Sequence, residues 1–208
     1  MNWLKSFKPQ KLTALRELDM KIFESAALSA QPITEDLKKK LGEDSEEFEL
    51  KFMPVLFEFL YFYLHLANRS AFTQLGGEKS QKLSHEMIRI SIELTIEAQM
   101  GHWPENLREG IKKDSFHNYN VAESNYAMCK DILLKPEDDT KTIDKIATGQ
   151  KSKSMIGQLI DNISEIITGK VNTDILFQLQ VWEAVVKILE KNKKDIDVLI
   201  PKAFAELK

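Results

Sequence analysis

Apolar side chains recur along this chain mostly at intervals of three and four, the spacing of one face of an α-helix. After Pro9, in KLTALRELDMKIFESAAL, Leu12, Leu15, Leu18, Ile22 and Phe23 keep that period. Pro32 predicts the end of this helix, because proline lacks the amide hydrogen and its ring clashes with the preceding turn. Thr34-Glu35-Asp36 then opens a short helix that stops at Gly42. Asp44 or Ser45 caps the next, EEFELKFMPVLFEFLYFYLHLANRSAF, with a kink or restart expected at Pro54 and a closing turn at LGGE, residues 75–78.

The stretch from Ile88 to Glu97 carries two periods at once. Ile88, Ile90, Ile92, Leu94 and Ile96 alternate with Arg89, Ser91, Glu93 and Thr95, which is strand spacing, yet helix formers flank the stretch on both sides. No second strand candidate offers it a partner, and an isolated strand is unstable, so a helix buried on two sides is expected. Pro104 starts a further helix toward Leu134, with a break near Asp114-Ser115, and Cys129 is placed in its middle. KPEDDTK, residues 135–141, is the clearest linker. Beyond it come a short helix at 142–148, SKSMIGQLIDNISEIIT ended by Gly169, DILFQLQVWEAVVKILEKN capped by Asn172 or Thr173, and KDIDVLIPKAFAELK interrupted at Pro201. The sum is an all-α, irregular bundle of about eight or nine helices. It reads as a single domain over residues 1–208, with KPEDDTK as the point of any subdivision into 1–134 and 142–208.

Helical arithmetic singles out two segments. At about 100° per residue, the apolar side chains between Val55 and Ala67 spread over roughly 220°, twice the arc a surface helix buries. Only residues 174–190 show a comparable arc, so the helices near 54–69 and 174–190 are expected at the centre of the fold. On the first of them the polar residues share one stripe: with Glu58 at zero, His65 falls near −20°, Arg69 near +20° and Tyr61 near −60°. Glu47 and Lys51 continue this seam if the phase survives Pro54. It is read either as a solvent-facing edge or, if neighbours cover it, as the polar lining of an apolar-walled cavity, because unpaired buried charges are costly.

Composition narrows the functions available. Lys plus Arg is 29 against 32 for Asp plus Glu, a net charge of −3, so no general attraction to nucleic acid is expected. The single cysteine, Cys129, excludes an intramolecular disulfide, and the absence of an apolar leader in MNWLKSFKPQ points to a cytoplasmic protein. The most apolar stretch, from Phe52 to Leu66, is fifteen residues long. That is short of the ~20 apolar residues of a bilayer-spanning helix, so no membrane span is expected.

Motifs of helical chemistry are missing. There is no Glu-x-x-His pair of the di-iron type, no His-Glu-x-x-His, and neither of the glycine-rich phosphate loops; the lysines of residues 149–154 lack the spacing to wrap a phosphate. Three functions follow. The leading expectation is a non-catalytic helical module that binds another protein, or itself, through an apolar helix face. The alternative is a binder of small apolar or fatty ligands, with Glu58, Tyr61, Phe62, His65 and Arg69 around the pocket. The third is a metalloprotein or enzyme using Glu58, His65, His85 and His102. No cofactor is specified by any of these patterns.

Overall fold

A computed structural model describes residues 13–42, 45–129, 131–132, 154–170 and 175–207. Among the described residues the chain is all-helical, with six helices and no strand: α1 Ala14–Leu41, α2 Glu46–Leu75, α3 Gly77–Met100, α4 Glu105–Ala127, α5 Met155–Thr168 and α6 Ile175–Glu206. The linker KPEDDTK, the short helix expected at 142–148 and the caps expected at Asp44, Asn172 and Thr173 lie outside the described residues.

The helices are fewer and longer than expected because Pro32, Pro54 and Pro201 all sit inside helices rather than ending them, and because the two segments expected to part between Asn192 and Lys194 run on as one helix, α6. Each proline costs one backbone hydrogen bond, of the order of 3 kcal/mol in a helix interior. The opposing term is burial beside the break. Ala30, Ile33 and Leu37 are buried around Pro32, Val55 and Leu56 follow Pro54, and Ile200 and Ala203 flank Pro201. A helix that changed direction at any of them would lose the packing of its following turn. The break expected near Asp114-Ser115 is likewise absent: Ser115 donates its hydroxyl to the Ile111 carbonyl at 2.7 Å, which satisfies the side chain within α4.

Several boundaries fall where the sequence places them. Ser45 caps α2, its Oγ accepting from the Phe48 amide at 3.1 Å. Gly42 ends α1 with φ of 86°, a conformation that L-residues rarely adopt. Ser154 caps α5 by accepting from the Gly157 amide at 3.0 Å, and Gly169 closes it at φ 74° with its amide on the Glu165 carbonyl. Residues 88–97 are helical throughout. The buried side of α3 includes Ser84, Met87, Ser91, Ile92, Thr95 and Ile96, a helix face in which small hydroxyl residues stand among the apolar ones. Those hydroxyls imitate the polar half of a strand alternation.

The chain forms two compact units, each assembled from separate segments. Unit 1 comprises Met1–Glu24, Leu64–Tyr119 and Asn192–Lys208. Its core gathers Leu18 and Ile22 of α1, Leu83 and Met87 of α3, and Ile200 of α6, all fully buried. At its edge Lys21 pairs with Asp195 at 3.4 Å, and Asp197 accepts from the Ser70 hydroxyl at 2.5 Å. Unit 2 comprises Ser25–Tyr63 and Asn120–Lys191. Its centre is α2, in which every residue from Val55 to Tyr63 is buried, as the wide apolar arc predicts. By length and composition α2 is also the one described helix that could cross a membrane, and 67% of that apolar window is buried inside the protein.

The second expected core segment departs from expectation. In the described part of that segment, residues 175–190 of α6, Val181 and Val185 are fully buried, but Leu176, Leu179 and Trp182 are 77%, 50% and 43% exposed. Part of that wide apolar arc, at Leu179 and Trp182, therefore meets solvent. Cys129 also moves: it lies past the last residue of α4, buried, with its amide on the Tyr126 carbonyl at 3.0 Å.

Candidate functional site

The polar stripe of α2 is not uniform. Glu47 is exposed and forms a helical ion pair with Lys51 at 2.7 Å, Glu58 and His65 are buried, and Arg69 is exposed again. Neither reading of the seam, all solvent-facing or all enclosed, holds along its length. Glu58, Tyr61 and Phe62 belong to unit 2, and His65 and Arg69 to unit 1.

Glu58 stands at a junction of three helices. Its Oε1 accepts from the Tyr126 hydroxyl of α4 at 2.6 Å and from Asn162 Nδ2 of α5 at 2.7 Å. Gln158, one turn before Asn162, donates to Asn162 Oδ1 at 2.7 Å and so fixes which way that amide faces. The Phe62 ring meets the Tyr126 ring edge-on, centroids 5.8 Å apart, and holds the phenol against the carboxyl. Burial pushes the Glu58 carboxyl above its ordinary range, and the two donors, which favour the ionised form, offset only part of that cost. Burial and the Glu58 charge together push the Tyr126 phenol well above its ordinary range. Tyr61 is buried and stacks on Phe57, ring centroids 5.8 Å apart. Nearby, Tyr63 shares a hydrogen bond with Ser29 at 2.8 Å.

Unit 1 holds a second buried acid that the sequence reading passed over. Asp19 of α1 is fully buried and its Oδ1 accepts from the Ser91 hydroxyl of α3 at 2.8 Å. Its Oδ2 finds no hydrogen-bond partner among the described residues. Burial raises the Asp19 carboxyl well above its ordinary range, against the smaller lowering effects of the Ser91 bond and of Arg89.

The metal set expected from the sequence is not assembled. His85 and His102 are exposed, and His102 lies edge-on to its neighbour Trp103 at 6.4 Å. Among the described residues no three His, Cys, Asp or Glu side chains come together as ligands would.

The exposed face of α6 is the remaining candidate. Leu179, Trp182, Val186 and Leu189 follow one another at intervals of three, four and three, and at about 100° per residue they span an arc of about 80°. Leu179 and Trp182 are exposed, Val186 and Leu189 half-buried, while the buried pair Val181 and Val185 lies about 100° round the helix. α6 thus carries two apolar stripes, of which one serves the core of unit 2. Comparison with known proteins adds no assignment: no protein-family model matches the chain, and no curated protein or solved structure matches it.

Proposed function

We propose that this protein is a non-catalytic helical interaction module that binds a helix of another protein, or of a second copy of itself, through the outer stripe of α6. The observation that carries this reading is the exposure of Leu176, Leu179 and Trp182 on one helix, 77%, 50% and 43%. Scattered apolar residues are ordinary on a protein surface, but Leu179, Trp182, Val186 and Leu189 keep the three-and-four spacing by which one helix seats against another. Trp182 supplies the large, rigid aromatic anchor from which helix-in-groove contacts draw most of their affinity.

Because Leu179 and Trp182 are exposed in the isolated chain, acidic substitutions there remove the contact surface without emptying the core. Light scattering over a concentration series should show self-association of the wild-type chain, lost in the double variant Leu179→Glu/Trp182→Glu at unchanged melting temperature. If the chain is a monomer throughout, a photo-crosslinking residue at position 182 should yield one discrete adduct in cells, which Leu179→Glu abolishes. A strict monomer that yields no discrete adduct removes the proposal.

A further inference from the structure

The meeting of Glu58, Tyr126 and Asn162 joins the shortest described helix to the one with the longest unbroken buried run, Val55–His65. α5 has 14 residues, and α2 has 30. A helix of that length is marginal in water by itself, so the helicity of α5 depends on what holds it to its neighbours. Among the described residues its attachments include three. Its apolar face buries Met155, Ile156, Leu159 and Ile163. Its first turn is joined to the segment after α4, where the Met155 and Ile156 amides donate to the Asp131 and Ile132 carbonyls at 2.9 and 3.2 Å. Further along, Asn162 donates to Glu58.

We propose that Glu58 is a proton-operated latch for α5: with a proton bound the carboxyl rests at the junction of α2, α4 and α5, and loss of that proton to solvent favours release of α5. A neutral carboxyl still offers its carbonyl oxygen to both Tyr126 and Asn162, so the protonated junction keeps both hydrogen bonds. An ionised one gains from the same donors but remains out of water, and among the described residues no Lys, Arg or His compensates its charge. Among the described residues the titratable groups around it are Tyr126 from α4 and, behind the phenol, Cys129; α5 presents the neutral amides of Asn162 and Gln158, with Asp161 adjoining Asn162 in sequence.

Hydrating the carboxylate requires one of the three helices to move. α2 is buried at every residue from Val55 to Tyr63, and α4 anchors the phenol through Tyr126, which is fully buried against Phe62. α5, though eight of its residues are buried, is the shortest of the three at 14 residues against 23 in α4 and 30 in α2, so its release frees the fewest residues. Its departure removes one donor and admits water to the same face, so ionisation and undocking are linked.

Hydrogen exchange of the full chain between pH 5 and pH 9, corrected for the intrinsic rate of each amide, tests the latch. In the wild type the protection of the α5 amides should fall as pH rises through the Glu58 titration, by up to about tenfold per pH unit if one proton is lost per opening. In Glu58→Gln, which keeps the carbonyl acceptor and cannot ionise, α5 protection should be flat with pH. Should that variant fail to fold, Tyr126→Phe decides: it removes a donor that favours the anion, so the fall should extend to higher pH. A flat wild-type profile overturns the latch, and so does an equal fall in Glu58→Gln or an unmoved profile in Tyr126→Phe.

Discussion

Ser91 donates its hydroxyl to Asp19 Oδ1 at 2.8 Å with both side chains fully buried, and among the described residues this is the one hydrogen bond to the Asp19 carboxyl. A buried carboxylate with one neutral donor is poorly compensated, and the second oxygen lacks a partner among the described residues. The folded state therefore holds the Asp19 proton more tightly than the unfolded chain does, consistent with the raised affinity caused mainly by burial.

That difference fixes the sign of a pH dependence. Where the native state binds more protons than the unfolded state, stability falls as pH rises. For Asp19 the fall begins near the ordinary carboxylate value of 3.8 and continues upward to the raised folded-state value. Urea unfolding of the wild type at successive pH values should show this slope, at most about 1.4 kcal/mol per pH unit for one proton. Asp19→Asn should remove the part of it that belongs to Asp19, and an unchanged slope would exclude Asp19 as its source.

Pro32 gives a prediction about backbone rather than charge. It lies inside α1, where the missing amide leaves the carbonyl of residue 28 without its usual donor. Its own carbonyl is used, accepting from Gln180 Nε2 of α6 at 3.3 Å, a contact that any residue at position 32 can keep. Pro32→Ala should restore the helical hydrogen bond and relieve the ring's clash. Part of the gain is returned because proline also restricts the unfolded chain. The net expectation is stabilisation of about 1–2 kcal/mol by chemical denaturation. A loss of stability would mean that the ring itself is needed where it packs.

What could be read in advance follows from the range of each interaction. Helix class, Ser45 and Gly42 as boundaries, and the enclosure of Val55 to Tyr63 all rest on residues a few positions apart, where the 3.6-residue period is informative. The partners of Glu58 are not of that kind: Tyr126 lies 68 positions away and Asn162 104. The helical arithmetic placed Glu58 on a polar stripe but carried no information about which helices would cover it. Asp19 was missed because it sits among charged neighbours in ALRELDMK, where an acid reads as surface. The useful signal was the run of Ser84, Ser91 and Thr95 on the buried side of α3, which the strand-like alternation concealed. The prolines misled for a related reason, since a local rule was outweighed by burial that only the folded chain supplies.

Glu206 bears on the acid side of the stability curve. Near the end of α6 its carboxylate accepts from two amides at the start of α1, Ala14 at 2.7 Å on Oε1 and Leu15 at 3.0 Å on Oε2. These are donors that a helix N-terminus leaves unsatisfied, and a negative charge there also meets the favourable end of the helix dipole. The Leu15 and Ala14 amides hold the Glu206 carboxyl below its ordinary value of 4.5. The sign is opposite to that of Asp19: the contribution of Glu206 is present above the unfolded-state value and is lost as pH falls through the lowered one. Glu206→Gln keeps a single acceptor oxygen and no charge. It should lower the melting temperature at pH 7, and the gap to the wild type should narrow as pH falls through the lowered Glu206 value. Added salt should narrow the gap at pH 7, because the site is exposed and its charge is screened. A difference in melting temperature that is the same at pH 3 and pH 7 would show that the carboxylate charge plays no part in joining the two ends of the described chain.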